Sequence, residues 1–108
     1  MMTELRWSKR ENIIARRAFD AAYQRECAAI AKEIRKSVAH LSDPSQLWRI
    51  HDFLTGKRND VERKYDYRYS VLIWVFGMLV REGWLTLDDL AGLSEEKIVK
   101  ITCLAEMK

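Results

Sequence analysis

Residues 8–41 of this chain, SKRENIIARRAFDAAYQRECAAIAKEIRKSVAHL, contain neither proline nor glycine and set its architecture. Ser8 and Glu11 have the S-x-x-E spacing of a capping box, in which the hydroxyl and the carboxylate each accept a hydrogen bond from a free backbone N–H. Apolar residues then recur at steps of four and three, as in one stripe of an amphipathic helix: Phe19, Tyr23, Cys27, Ile30, Ile34, Val38 and Leu41. The stretch therefore predicts a helix from Ser8 to about Leu41.

This predicted helix is too long for the domain that carries it. At 1.5 Å per residue it measures roughly 50 Å, whereas a compact domain of this size has a radius of gyration of about 13 Å and a diameter of about 35 Å. An apolar stripe that a chain of 108 residues cannot cover by itself predicts a helix-to-helix contact with a second copy. We therefore expect a homodimer.

A second long helix is predicted from Pro44 to about Tyr65. Proline cannot continue the first helix but suits the first turn of the next, with Asp43 as the cap and Gln46 three residues later. Its apolar residues keep helical spacing on one sector. We expect the dimer interface to combine both long helices, through Ile30, Ile34, Val38, Leu47, Trp48, Ile50, Asp52, Leu54 and Arg58.

The C-terminal part of the chain predicts a compact helical head. The apolar run at residues 71–80, VLIWVFGMLV, could be a buried strand or a buried helix. Its length and the lack of a partner strand favour a helix that is closed by Gly83. Thr86 and Ser94 mark the starts of two further short helices.

The predicted fold class is therefore all-α, with two long helices, a C-terminal helical head and a dimeric state. We expect a single domain over residues 1–108, divided into dimerising long helices at 1–65 and the head at 66–108. Core packing is the default expectation for Trp74 and Phe76, since both lie in the apolar run. Alternate residues of a helix do not share a face, so one of the two can lie nearer the surface. Lys100 alternates with core positions, so we expect it to be exposed.

Charge is unevenly distributed along the chain. Nineteen basic and sixteen acidic side chains give a formal net charge of +3, which favours a soluble protein. Residues 1–36 hold nine Lys or Arg against five Asp or Glu, whereas residues 69–108 hold four against six. A basic N-terminal half suits an acidic protein or nucleic acid, so a helical nucleic-acid-binding module is the alternative function. Against it, the net-acidic C-terminal end offers no Lys or Arg row on a recognition helix.

Cysteine usage and hydropathy indicate the compartment. Cys27 and Cys103 lie 76 positions apart without a CxxC spacing, and the apolar beginning of a secretory signal is missing. The longest apolar run has only ten residues, which is too short to cross a bilayer. We expect a cytoplasmic protein with reduced thiols and without an integral membrane span.

The segment LWRIHDFLTGKR at residues 47–58 has the residue types of an active site or a metal site. Adjacent helix residues such as His51 and Asp52 point about 100° apart and do not face each other, and no Ser or Cys nucleophile is near. The candidate zinc ligands lack any short-spaced pair: Cys27, His40, His51 and Cys103. We therefore expect no enzymatic activity, metal or cofactor.

Trp48 is the most informative residue of this segment. A large aromatic side chain on the polar side of a helix leaves apolar area in water unless a partner or another part of the chain covers it, and the sequence leaves both readings open. Asp52 and Arg58 are six residues apart, so they are poorly placed to pair within one helix. They either stay solvated or meet their counterparts across a two-fold axis.

Several motifs occur together in one register: YQRE at 23–26, LWRIHDFL at 47–54, KR at 57–58, KYDYRYS at 64–70, VF at 75–76 and EG at 82–83. Each motif is weak by itself, but W-x-x-H-D-F-L-x-x-K-R followed by K-Y-D-x-R-x-S is specific. The set resembles the cyanobacterial fluorescence recovery protein family, from Trp7 to about Leu104.

The resemblance implies an all-helical, dimeric regulator. Members of that family bind the orange carotenoid protein, chiefly its C-terminal domain, and speed the return of its red form to the orange form. They also help to remove it from the phycobilisome, so antenna fluorescence recovers. The resemblance implies action near the cytoplasmic face of the thylakoid membrane, through the partner. Carried over by motif, the partner-binding residues are Trp48, His51, Asp52 and Arg58 at the dimer contact, and Trp74 and Lys100 in the head.

Overall fold

The computed structural model describes residues 6–107, and the first five residues and Lys108 of the predicted domain lie outside this range. The described chain is built from α1 (Lys9–Ala39), α2 (Pro44–Lys64), α3 (Leu72–Arg81), a 3-10 helix (Leu87–Leu90) and α4 (Glu95–Glu106). The predicted all-α fold of two long helices and a helical head is confirmed.

The helix boundaries agree with the local signals in the sequence. Ser8 caps α1: its hydroxyl accepts a hydrogen bond from the Glu11 N–H, and the Glu11 carboxylate accepts one from the Ser8 N–H, each at 3.1 Å. Asp43 and Gln46 form the same reciprocal arrangement at the start of α2. These bonds satisfy orphan N–H groups of the first turn, which is why each helix begins where the motif predicts.

The molecule is elongated, with principal extents of 57 × 26 × 24 Å and a radius of gyration of 16.9 Å. This radius exceeds the value of about 13 Å for a compact domain of similar length. The overhang predicted for the first helix is therefore present: α1 and α2 form a helical hairpin that projects from the head.

The core lies in the head, and the N-terminal half of α1 belongs to it. The largest fully buried side chains are Phe76, Leu72, Leu79, Leu90 and Ile101, which come from the three elements of the head. α1 contributes Phe19 and three buried alanines to the same cluster, and the small alanine side chains let its backbone approach the head closely. Each buried Phe or Leu contributes about 2 kcal/mol of hydrophobic stabilisation.

The predicted end of α3 is also correct. Gly83 has φ of +86°, a left-handed conformation in which glycine carries no steric penalty. The backbone N–H of Trp84 then donates to the Leu79 carbonyl at 2.9 Å, which satisfies one of the free carbonyls at the helix end. Within residues 6–107 every helix is too short or too polar to cross a bilayer.

Candidate protein-interaction site

The second long helix is amphipathic, yet it has no buried residue. Four of its large apolar side chains are exposed: Leu47, Trp48, Phe53 and Leu54. An apolar stripe gains stability only when another surface removes it from water. The distal part of the hairpin is therefore an apolar surface without a cover inside the chain.

An apolar groove lies on one side of the seam between α1 and α2. Its floor is formed by Tyr23, Cys27, Ile30, Ala31, Ile34, Leu54 and Val61, with Arg35, Lys57, Arg58 and Glu62 at its margin. Four predicted interface residues thus lie together here, namely Ile30, Ile34, Leu54 and Arg58. Val38 and Leu47 are exposed nearer the tip of the hairpin, while Ile50 lines a groove on the other side of the seam.

The predicted partner-binding residues of α2 are all exposed, and one of them, Arg58, lines the apolar groove. Trp48 is 64% exposed, so α1 of the same chain does not cover its side chain. Arg58 donates to Glu62 at 3.0 Å, one turn along the same helix. Asp52 lies four residues after Trp48, hence on the same face of α2. The result is an aromatic side chain surrounded by charges, a composition typical of interaction hot spots.

The expectation that His51 and Asp52 do not approach each other is wrong. His51 Nδ1 lies 3.4 Å from Asp52 Oδ1. Both side chains are largely exposed, so they are free to choose rotamers that lean toward each other over the helix surface. The separation is long for a charge-assisted hydrogen bond, and solvent screens it. The contact therefore adds little to stability.

Core packing of Trp74 is also contradicted, because this side chain is 64% exposed, whereas Phe76 is fully buried as expected. The two residues lie about 200° apart around α3, so only one can face the core. Trp74 instead lines a groove between α2 and the head. Lys100 is exposed as predicted, and its ammonium lies 3.7 Å from the Glu96 carboxylate on α4.

A polar junction, formed by Glu26, Lys64, Tyr65 and Glu82, fixes the end of α2 against α1 and α3. The Lys64 ammonium donates to Glu26 at 2.9 Å and also to Glu82, while the Tyr65 hydroxyl donates to Glu26 at 2.8 Å. Burial lowers the pKa of Lys64, but the two carboxylates outweigh burial and raise it above its ordinary value. Burial and Glu26 also raise the pKa of Tyr65 far above its usual range.

Sequence reasoning missed this junction. Its four residues belong to the YQRE, KYDYRYS and EG motifs, which in the sequence support only the resemblance to the family. A signal was available, because a Glu near the middle of an apolar helix stripe requires a buried partner. What the sequence could not provide was the identity of that partner, since Glu26 and Lys64 are 38 residues apart.

Two basic side chains of the N-terminal half are engaged by other parts of the chain. The Arg16 guanidinium stacks over the Tyr67 ring at 4.6 Å, and Arg25 forms a bidentate pair with Asp89 at 2.9 and 3.2 Å. In the part of the chain that the structure describes, no group of three or more His, Cys, Asp or Glu side chains could hold a metal ion. The thiols of Cys27 and Cys103 are free.

Comparison with known proteins gives this surface its context. The family model described as photoprotection regulator fluorescence recovery protein matches residues 7–105. The Fluorescence recovery protein of Synechocystis sp. is 36% identical over 104 residues, which cover 96% of this chain and 95% of the relative. The chain belongs to the fluorescence recovery protein family. It is therefore a member of a family of photoprotection regulators.

Solved structures of fluorescence recovery proteins share this fold along nearly the whole chain. The structure of the Fremyella diplosiphon protein has a TM-score of 0.90 at 43% identity, and covers 94% of this chain and 100% of its own. The structure of the Synechocystis sp. protein has the same TM-score at 36% identity and the same coverage. The exposed hairpin and the helical head are thus arranged as in these family members.

Proposed function

We propose that this member of the family acts as a homodimer that binds the orange carotenoid protein, chiefly through that protein's C-terminal domain. By binding it, the dimer speeds the return of the red form to the orange form and helps to detach it from the phycobilisome. Antenna fluorescence then recovers. The place of action is the cytoplasm beside the thylakoid membrane, which the protein reaches through its partner. The observation that carries the proposal is the unburied apolar face of α2.

Self-association follows from that face. Leu54, with Ile30 and Ile34 from α1, presents an apolar groove, and α2 has no buried residue of its own. Two copies that pack hairpin against hairpin remove both grooves from water at once, and a two-fold axis makes the contact self-complementary. Hydrophobic burial of about 25 cal/mol per Å² drives the association.

Partner recognition is assigned to the aromatic and charged side chains beside this groove. Trp48, His51, Asp52 and Arg58 are exposed along α2, and Arg58 also lines the groove that the proposed dimer buries. Trp and Arg are enriched among the residues whose truncation costs most at protein interfaces. Trp74 and Lys100 extend the proposed recognition to the head, from α3 and α4.

The mechanism needs no cofactor and no energy source. A protein that binds two conformations of a partner equally well does not change their equilibrium or their rate of exchange. A faster return requires that the dimer bind the transition state between the red and orange forms more tightly than it binds the red form. A tenfold acceleration corresponds to about 1.4 kcal/mol of this preferential binding.

The rate at which the red form returns to the orange form in darkness tests the proposal. The parent protein, Trp48→Ala and Ile13→Ala are compared at equal concentration by absorbance. Ile13 is a matched control, since it is 61% exposed at the head end of α1, away from the proposed contact. We expect Trp48→Ala to lose at least tenfold in acceleration, and Ile13→Ala to keep it. Full activity of a folded Trp48→Ala would exclude this side chain from the site.

A further inference from the structure

A second and longer groove follows the other side of the α1–α2 seam. Near the tip of the hairpin it is lined by Glu33, Gln46 and Phe53, among others. Glu33 and Phe53 also line its narrow middle, together with Glu26, Lys57 and Trp84. The last three side chains line the wide end beside Trp74 as well. Because adjoining sections share their walls, they form one long groove from the hairpin tip to the head.

Most of the long groove lies outside the contact proposed for the dimer. Phe53 in this groove and Arg58 in the apolar groove are five residues apart, which places them about 140° apart around α2. A second copy seated on the apolar groove therefore does not cover Phe53. Ile30 and Lys57 contribute to both grooves, and the predicted interface residue Ile50 lines the tip section of the long groove.

The two ends of the long groove differ in chemistry. At the head end, Trp74 and Met78 are exposed one turn apart on α3 and form an apolar platform. Three acidic and three basic side chains surround it, so this end has no formal net charge: Glu26, Asp60, Glu82, Lys57, Arg63 and Lys64. At the tip end, Lys36, His40 and Arg49 line the wall with a single carboxylate, Glu33. Within residues 6–107 neither Lys36 nor Arg49 forms an ion pair. A ligand that matches both ends is apolar at the head and acidic at the tip.

We propose that the long groove holds an amphipathic helical segment of the orange carotenoid protein, with its apolar stripe in the seam and acidic side chains at the hairpin tip. The assignment rests on the proposed function and names a contact surface outside the dimer interface. From Glu26 to His40 the groove follows roughly 20 Å of α1, or about four helical turns. A third helix packs naturally into the seam of two others, with its apolar face inward.

Filling the narrow middle of the groove tests this assignment. Ala29 lines that section, so Ala29→Trp places an indole where the ligand passes. Ala28→Trp is the matched control, because Ala28 is exposed next to it and belongs to neither groove. Affinity for the red form is measured by titration, and self-association by light scattering. We expect Ala29→Trp to bind at least tenfold more weakly and to keep the parent mass, while Ala28→Trp binds as the parent does.

A second pair of variants keeps the test valid if Ala29→Trp does not fold. Met78→Glu charges the apolar platform at the head end, and Val99→Glu makes the same change at an exposed position of α4 outside the groove. We expect only Met78→Glu to weaken the complex, at least fivefold. At the tip, the double variant Lys36→Gln with Arg49→Gln is expected to weaken binding at low salt and to flatten its salt dependence.

Three other outcomes would contradict the groove assignment, and one of them would also contradict the proposed function. A complex that forms equally well with Ala29→Trp and Met78→Glu rules out the long groove and leaves the proposed function intact. A loss of dimer mass in Ala29→Trp but not in Ala28→Trp makes the groove a self-association surface and overturns the assignment. If the parent chain forms no complex with the red form, the proposed function fails and the groove assignment fails with it.

Discussion

The Lys97 ammonium lies 3.2 Å from both carboxylate oxygens of Glu11, and the pair joins the start of α4 to the start of α1. Both residues are buried, at 4% and 8% exposure. Glu11 also accepts from the backbone N–H of Ser8 and of Ser94. Burial raises the Glu11 pKa, but these donors and Lys97 together hold it below its ordinary value.

Removing the ammonium from this pair should destabilise the head. We expect Lys97→Met to lower the free energy of unfolding by about 3 kcal/mol, because it leaves a buried carboxylate without its counter-charge. Urea denaturation followed by circular dichroism measures the change. Lys100→Met, the same substitution at an exposed position one turn away, should change stability by less than about 0.5 kcal/mol. Equal stability of the two variants would contradict a structural role for the pair.

The pair of Asp89 with Arg25 predicts a pH dependence of stability. The Arg25 guanidinium, with the backbone N–H of Thr86, lowers the pKa of Asp89 to about 2. Between about pH 4 and pH 2 the unfolded chain therefore binds the proton that the folded chain does not, and this contribution to stability is lost as the pH falls. At pH 7 we expect Asp89→Asn to be less stable by about 1 to 2 kcal/mol, since Arg25 is partly exposed.

Thermal unfolding of the parent and of Asp89→Asn at several pH values checks this expectation. The difference between the two proteins should be constant above about pH 5 and should shrink toward pH 2. A difference that does not change over this range would mean that the carboxylate charge of Asp89 is not what the substitution removes.

Two glycines should respond to alanine in opposite ways. Gly56 lies inside α2 with no atom within 4 Å of an added Cβ, so Gly56→Ala should raise the free energy of unfolding by about 1 kcal/mol through helix propensity. Gly92 has φ of +104°, and its Cβ would lie 2.5 Å from Ile14 Cδ1. Gly92→Ala should therefore be destabilising, by about 2 kcal/mol. Denaturant titration of both variants measures the contrast, and equal signs would contradict it.

The dimer should depend on Leu54. Leu54→Glu places a carboxylate in the apolar groove, where a second copy would bury it without a partner. We expect the parent at micromolar concentration to have twice the chain mass of 12.8 kDa by light scattering, and Leu54→Glu to have the mass of one chain. Val99→Glu, at an exposed position of α4, should remain dimeric. A parent chain that is monomeric and fully helical would refute the homodimer.

The sequence predicted most of the fold because its strongest signals are local. The capping residues Ser8 and Asp43 place the starts of α1 and α2 correctly, and Gly83 places the end of α3. Each of these signals acts within four residues, so it operates before any tertiary contact forms. The overhang of the hairpin was likewise predictable, since helix length follows directly from the number of residues without a breaker.

The predictions that failed concern which side chains face the core and which side chains pair with one another. Trp74 and Phe76 have the same apolar surroundings in the sequence, yet only Phe76 is buried. Which of them faces inward depends on the rotation of α3 about its axis, and that rotation is set by α1 and α4. The polar junction at Lys64 escaped prediction for a similar reason, because its carboxylates come from two other helices.

The starts of the helices, their lengths and their apolar stripes could be predicted from the sequence, because they depend on hydrogen bonds and side-chain spacing within a few residues. The burial of Lys97 against Glu11, the exposure of Trp48 and Trp74, and the two grooves beside the hairpin seam depend instead on how the helices pack. Exposure and ion pairing are properties of surfaces brought together from distant parts of the chain, and packing free energy selects among the many arrangements that the same helices allow.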